Sequence, residues 1–335
     1  MKLSIGIVGL PNVGKSTLFK ILTKQEVNIA NYPFATIEPN VGVVAVPDER
    51  LKKLADLSHS RKIVPAIVEF YDIAGLVKGA YKGEGLGNQS LSHIREVNAI
   101  VQVVRCFPAG EIVHIEEKID PIRDLEIVNT ELILKDLETV EKRLAKLESE
   151  AKTGDKSKLK DLEIVRGIQD GLSKGILAVN LSDELKDKSI VRELNLLTIK
   201  PQIYLLNGKE SDASEDLRLK IKDLGADYII SDLNTAENLN ELIQKAYSIL
   251  GLISFFTTGE DETRAWTIRQ GTKAPEAAGV IHSDFEKKFI RAEVINWQKL
   301  LDSGSWAFAK QKGLLKLEGK EYEVKDGDVI EVRHG

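Results

Sequence analysis

A glycine-rich segment near the amino terminus limits the fold more strongly than any other feature of the sequence. Residues 9–16 read Gly-Leu-Pro-Asn-Val-Gly-Lys-Ser and match the pattern G-x-x-x-x-G-K-[S/T], directly after an apolar run at residues 3–8 and before helix-like spacing at residues 17–23. A strand, a glycine turn and a helix in this order form a phosphate-binding loop, because backbone N–H groups face the anion at the positive end of a helix. The alternative is a glycine turn that binds nothing. The pattern arises by chance in about 1% of chains of this length, even before its strand and helix context is required.

The residue types within this loop suit a nucleoside triphosphate with bound magnesium. We expect Lys15 to bring a cation to the β- and γ-phosphate oxygens, where it is also a catalytic candidate, and Ser16 to offer its hydroxyl to Mg²⁺. The residues expected to contact the nucleotide here are Asn12, Val13, Gly14, Lys15, Ser16 and Thr17.

A second pattern, D-x-x-G, ends the apolar run at residues 67–73. Asp72 would reach Mg²⁺ through water, and the Gly75 N–H would sense the γ-phosphate. The glycine-rich residues 78–87 that follow favour a switch segment, and an ordinary surface turn is the alternative. Thr36, between the two motifs, is placed to supply a second hydroxyl to Mg²⁺, and its alternative is a solvated loop threonine.

The pattern along the chain predicts three domains. Apolar runs alternate with helix-like stretches through residues 1–120 and 189–251, which predicts one split α/β domain around a mostly parallel sheet. Between them, apolar residues at steps of four and three predict an inserted antiparallel helical hairpin at residues 121–188. Short strand-like runs and one amphipathic helix at residues 252–335 are typical of a small α+β module.

Composition excludes several classes of protein. The 335 residues include 47 Lys and Arg and 52 Asp and Glu, and a net charge of −5 argues against a globally basic nucleic-acid coat. Cys106 is the lone cysteine, which excludes an intrachain disulfide framework and fits a cytoplasmic location. No apolar run approaches the ~20 residues of a membrane span, so we expect no membrane partner, and nothing points to specific DNA recognition.

Four segments carry a family resemblance. They are Gly-Leu-Pro-Asn-Val-Gly-Lys-Ser at residues 9–16, Asp-Ile-Ala-Gly-Leu-Val-Lys-Gly at 72–79, Gly-Glu-Gly-Leu-Gly-Asn-Gln at 83–89 and Val-Arg-Cys-Phe at 104–107. Together they closely resemble the Obg-like ATPase (YchF) family of TRAFAC P-loop proteins, and the likeness covers essentially the whole chain. The resemblance implies a P-loop G domain with an inserted helical hairpin and a β-grasp-like TGS domain at residues 252–335. It also implies ATP as substrate, Mg²⁺ as cofactor and the ribosome or ribosomal RNA as partner.

The choice of base depends on Asn207-Gly208-Lys209-Glu210, which aligns with the guanine-binding motif N-K-x-D. Glutamate is one methylene longer than aspartate and would crowd guanine, and loss of such a paired contact can reduce discrimination by about 10⁴. The resemblance implies ATP over GTP, with Asn207 and Glu210 at the base and the backbone near Ser231 as a further contact. Many family members carry an apolar residue at the position of Gly208, so a weaker preference is expected here and GTP is the alternative substrate. Without the alignment, this stretch is typical of an ordinary turn at the end of a strand.

The residue that positions water in Ras-type proteins is absent. Leu76 stands where those proteins have a glutamine. Asn12 could instead coordinate K⁺ and place positive charge where it develops in the transition state. The resemblance places His114 where an imidazole could orient the water, although a lone histidine is more often packed or on the surface. The main hypothesis is therefore a slow ribosome-associated ATPase, and the alternative from another class is a nucleotide-stabilised binding module with incidental hydrolysis.

Overall fold

The computed structural model describes residues 4–24, 27, 31–32, 38–73, 79, 87–107, 119–152 and 155–335. Two compact units divide the chain, and each is made of segments that are distant in sequence. The first unit contains residues 1–24, 36–42 and 69–239, and the second contains residues 25–35, 43–68 and 240–335. Over the described part of the chain, no helix has the length and apolar character needed to cross a membrane.

The helices and strands follow one another along the chain as follows. They are β1 (Ser4–Val8), α1 (Lys15–Thr23), β2 (Val41–Ala45), α2 (Glu49–Ser58), β3 (Lys62–Val64), β4 (Ile67–Asp72), α3 (Gly87–Glu96), β5 (Ala99–Arg105), α4 (Pro121–Ala151), α5 (Lys156–Ser173), α6 (Asp183–Lys186), α7 (Ser189–Leu194), β6 (Gln202–Asn207), α8 (Glu215–Asp223), β7 (Asp227–Ser231), α9 (Asn240–Ile249), β8 (Leu252–Thr258), β9 (Glu262–Arg269), α10 (Ala274–Ile281), α11 (Ser283–Lys287), β10 (Phe289–Asn296), α12 (Trp297–Ser303), α13 (Trp306–Gln311), β11 (Lys316–Glu318) and β12 (Asp328–His334).

The first sheet confirms the predicted α/β class. Its strand order is β2-β4-β1-β5-β6-β7, and the pairs from β4 to β7 are all parallel. All five residues of β1 are buried, because β1 is a short apolar run covered on both faces. The carboxyl ends of β1, β4 and β6 therefore lie along one edge of the sheet, the usual location of a ligand site in such a fold.

The inserted helices follow the predicted seam. Helix α4 begins at Pro121, after an N-cap in which the Asp120 side chain accepts from the Arg123 N–H. The apolar residues of α4 and α5 that pack together are Val140, Leu144, Leu147, Leu162, Val165, Ile168 and Leu172. The amino-terminal half of α4 instead shares a core with the first sheet, through Val128 and Leu132. One helix thus belongs to both the hairpin and the sheet.

The second sheet contains a strand from the amino-terminal region. Its order is β11-β10-β12-β8-β9-β3, and β3 pairs in parallel with β9. Lys62 and Glu262 face each other in this register, with Nζ 3.2 Å from the carboxylate oxygen. Arg50 on α2 binds Asp326, at 2.6 Å, within the same unit. The sequence pattern predicts residues 43–68 as part of the α/β domain, whereas in the structure they group with the carboxy-terminal module. The division into three domains stays a prediction.

Several short elements differ from the sequence pattern. The apolar spacing of residues 236–250 predicts a helix over that range, whereas α9 begins at Asn240. In the turn before it, Asp232 accepts from the Asn234 N–H at 3.0 Å, and such local side-chain bonds compete with a helix. Strands β3 and β11 have three residues each, too few for a periodic signal.

Candidate functional site

The loop between β1 and α1 folds because two glycines occupy positions that no side chain fits. Gly9 has φ 152°, and a Cβ there would lie 2.6 Å from the Val103 carbonyl oxygen. Gly14 has φ 110°, and its Cβ would lie 2.5 Å from Asn207 Nδ2. Asn12 also has a left-handed φ, of 63°, and its side chain is exposed. The backbone curls as a phosphate-binding loop requires, and the first bond of α1 runs from the Leu18 N–H to the Gly14 oxygen at 2.9 Å.

A buried lysine stands inside this loop. Lys15 is 9% exposed, and its Nζ donates to the Leu10 carbonyl oxygen at 2.7 Å. Burial lowers the pKa of Lys15, and the nearby Asp72 carboxylate partly offsets that shift. An ammonium group has three donors, and a desolvated cation at a helix amino terminus is suited to an anion. The lysine thus has the environment that a phosphate site requires.

Asp72 ends β4, beside β1, where Asp72 pairs with Ile7 in the sheet register. Its backbone N–H donates to the Asn40 oxygen at 2.9 Å. Burial raises the pKa of Asp72, and Lys15 opposes that shift. The structure therefore brings together the two charged residues that the sequence predicted in separate motifs.

The oxygen donors of the site fit magnesium. The Ser16 hydroxyl is exposed at the start of α1, and hydroxyl and carboxylate oxygens are the ligands that Mg²⁺ prefers. In the ranges that the structure describes, His, Cys, Asp and Glu form no group of three or more that could hold a metal ion. A pair of protein oxygens fits Mg²⁺, which takes its remaining ligands from water and substrate phosphates.

Asn207, the last residue of β6, supports the loop of residues 9–16 by a hydrogen bond. Its side chain is buried, at 2% exposed. Nδ2 donates to the Val13 carbonyl oxygen at 2.8 Å, while Oδ1 accepts from the Leu233 N–H at 3.1 Å. The sequence predicted only that Asn207 faces the base. An amide nitrogen carries two donors, and one of them supports Val13.

The glutamate expected at the base forms an ion pair with an arginine side chain. Glu210 Oε1 accepts from Arg218 Nη1 at 2.7 Å, and Nη2 of the same arginine donates to the Glu210 carbonyl oxygen at 2.8 Å. The Gly208 N–H donates to the Ser231 oxygen at 3.2 Å, which joins the ends of β6 and β7. A Cβ at Gly208 would lie 3.2 Å from the Cys106 Cβ. The turn is tight, and its carboxylate forms an ion pair with Arg218.

Some predicted residues cannot be placed. Thr36, Gly75, Leu76 and His114 lie outside the described residues. Of the remaining phosphate-loop candidates, Val13 is buried and Thr17 is exposed.

One residue near the site was missed by the sequence reasoning. Glu131 on α4 is buried, at 3% exposed, and its Oε1 accepts from the Gly79 N–H at 2.7 Å. Gly79 closes the segment that begins at Asp72. Glu131 belongs to a helix rich in charged residues, and the sequence offered no signal to separate it from its solvated neighbours.

Comparisons with known proteins cover both ends of the chain. Residues 4–142 match the family model MMR_HSR1, described as "50S ribosome-binding GTPase". Residues 252–335 match the model YchF-GTPase_C, described as "Protein of unknown function (DUF933)".

Full-length relatives are also similar. The protein named "Ribosome-binding ATPase YchF" of Bacillus subtilis is 46% identical over 99% of each chain. Its namesake in Escherichia coli O157:H7 is 42% identical over 98% of each chain. A solved structure, described as "Structure of the Schizosaccharomyces pombe YchF GTPase", superposes with a TM-score of 0.85 at 41% identity, covering 99% of this chain and 98% of the other.

Proposed function

This chain belongs to the YchF family, and from that membership we propose that it is a Mg²⁺-dependent P-loop ATPase that associates with ribosomes. The observation that carries the proposal is the loop of residues 9–16 closed around the buried Lys15, on a chain that aligns end to end with proteins named ribosome-binding ATPases. A ribosomal partner places the activity in the cytoplasm.

The loop residues would hold the triphosphate. Backbone N–H groups of residues 12–17 and the Lys15 ammonium would bind phosphate oxygens, because they offer donors and positive charge at a preformed site. Ser16, Asp72 and, by resemblance, Thr36 would hold Mg²⁺ directly or through water. Bound Mg²⁺ would neutralise charge on the phosphate oxygens. The backbone N–H of Gly75 would bind the γ-phosphate, again by resemblance.

Hydrolysis without a glutamine at position 76 requires other groups. Asn12, whose side chain is exposed on the loop, would coordinate K⁺, and His114 would orient the attacking water. Turnover is expected to be higher in K⁺ than in Na⁺. Equal rates in the two salts together with a wild-type rate for Asn12→Ala would remove the K⁺ role, and unchanged turnover in His114→Ala would remove the histidine.

The site is proposed to prefer ATP over GTP. One oxygen of the Glu210 carboxylate already accepts from Arg218, and glutamate is one methylene longer than the aspartate that accepts from the guanine edge. Asn207 retains one amide donor, and the backbone at Ser231 lies beside the same turn. The second candidate is GTP hydrolysis, which is favoured by the name "YchF GTPase" of the similar protein from Schizosaccharomyces pombe.

Steady-state phosphate release tests the proposal. Turnover of Mg·ATP and Mg·GTP is measured with purified protein, with and without ribosomes, and binding to ribosomes is followed by cosedimentation. We expect slow ATP turnover, weaker use of GTP and cosedimentation with ribosomes. GTP turnover that exceeds ATP turnover would favour the second candidate. Nucleotide binding without turnover under any of these conditions would instead indicate a non-catalytic binding module.

A further inference from the structure

The buried carboxyl group of Glu131 contacts the backbone at Gly79, four residues beyond the glycine of the D-x-x-G motif. Its Oε1 lies 2.7 Å from the Gly79 nitrogen, and the residue is 3% exposed. Gly79 has φ 90°, a left-handed conformation that suits glycine. A buried acceptor holds its donor more strongly than an exposed one, because no water competes for the donor.

Ile73, the described residue that precedes residues 74–78, is buried in a core to which α4 also contributes. Ile73, directly after Asp72, is 1% exposed and shares a core with Val128 and Leu132 of α4. These two residues flank Glu131 in the sequence of the helix. The described residues on either side of residues 74–78 are therefore both held, Ile73 by the core that α4 shares with the sheet and Gly79 by Glu131.

Two attachment points reduce the conformations open to a short segment. A loop held at both ends loses less entropy when its groups are ordered on a ligand than a loop held at one end. Correct placement of groups around a reacting phosphate is the main source of catalysis in phosphoryl transfer. Attachment at Gly79 therefore favours the ordered arrangement that hydrolysis needs, while the loop of residues 9–16 binds the nucleotide independently.

We propose that Glu131 is a positioning residue for hydrolysis, which acts by holding the Gly79 N–H, four residues beyond the glycine of the D-x-x-G motif, on the first helix of the inserted hairpin. This inference rests on the proposed nucleotide hydrolysis. Because α4 continues into the hairpin packing at Val140, Leu144 and Leu147, the same contact connects Gly79 to the hairpin.

The test compares Glu131→Ala and Glu131→Gln with a control on the same helix. Glu138→Ala removes a carboxylate that bonds to Lys135 and Lys142 on the surface of α4, and it leaves the Gly79 contact intact. For E131A we expect kcat to fall about tenfold, the factor that 1.4 kcal/mol corresponds to, with the dissociation constant of ATP within about twofold of wild type. E131Q retains an acceptor oxygen and should recover most of the rate, and E138A should behave as wild type.

Hydrogen exchange supplies a readout that does not depend on turnover. Mass spectrometry of overlapping peptides that end at residues 78 and 79 reports exchange at the Gly79 amide, which should be about tenfold faster in E131A and unchanged in E138A. If wild-type protein binds nucleotide but hydrolyses none, the proposed activity fails, whereas this measurement still decides whether Glu131 fixes Gly79.

Several results would overturn the role of Glu131. They are a kcat of E131A within twofold of wild type, a parallel loss of kcat and affinity, an equal loss in E138A, or unchanged exchange at Gly79. If E131A does not fold, E131Q replaces it, with an expected two- to threefold loss in kcat and faster Gly79 exchange. No change in either quantity for that variant would overturn the proposal as well.

Discussion

Replacement of Asn207 by alanine is expected to destabilise the protein and weaken nucleotide binding together. The side chain is 2% exposed and satisfies two backbone groups from different parts of the chain, the Val13 carbonyl oxygen at 2.8 Å and the Leu233 N–H at 3.1 Å. A buried polar group left without a partner costs about 1 to 3 kcal/mol. Two such groups would lower the free energy of unfolding by about 2 to 6 kcal/mol. Water that enters the space left by the amide can bond to both groups, so we expect a loss in the lower half of this range, about 2 to 4 kcal/mol.

The assay is urea-induced unfolding followed by circular dichroism, paired with calorimetric titration of Mg·ATP. Asn234→Ala is the matched control, because Asn234 is an exposed asparagine one residue beyond Leu233 and should change stability by less than about 0.5 kcal/mol. Asn207→Asp separates size from chemistry. It keeps an acceptor for the Leu233 N–H but turns an oxygen toward the Val13 carbonyl, so its loss should equal or exceed that of Asn207→Ala. A loss below about 1 kcal/mol in Asn207→Ala, or a stable Asn207→Asp, would refute the bracing role.

Two further predictions use other contacts. Glu210→Asp shortens the side chain that Arg218 holds at 2.7 Å and releases a carboxylate of the guanine-binding length. Competition calorimetry should then show that the ratio of GTP affinity to ATP affinity rises about tenfold or more. An unchanged ratio would contradict the assignment of Glu210 to the base. Burial lowers the pKa of Lys200 from 10.5 to about 8. Between these two pH values the unfolded chain therefore binds more protons than the folded one. The contribution of Lys200 to the free energy of unfolding rises with pH over this range, by at most about 3 kcal/mol. In Lys200→Met this rise in the free energy of unfolding with pH should be absent. If the free energy of unfolding changes equally in wild type and variant between pH 7.5 and 9.5, the role of Lys200 is contradicted.

The sequence predicted those parts of the site whose residues lie close together along the chain. The glycines at positions 9 and 14 and the lysine that follows are adjacent, so their pattern alone predicts the turn. Asp72 could be predicted as well, because it ends an apolar run and parallel strands end at the same edge of the sheet.

The remaining contacts join residues that are far apart in sequence. Asn207 reaches Val13 across 194 positions, and Glu131 reaches Gly79 across 52. Periodicity describes which face of a helix or strand is apolar, and it does not identify which backbone group a polar side chain will meet. The pairing of β3 with β9 was missed for the same reason, since a three-residue strand is recognised only when its partner is known.

Calorimetric titration of Mg·ATP into wild-type protein and into Lys15→Ala is the decisive comparison for a phosphate site built on residues 9–16. Loss of a buried, charge-assisted contact of about 3 kcal/mol corresponds to roughly a 100-fold weaker affinity. We predict saturable heat with wild-type protein and a dissociation constant at least about 100-fold higher for the variant, with unchanged circular dichroism. Absence of heat with the wild type, or equal affinity in the two proteins, would contradict nucleotide binding at this loop.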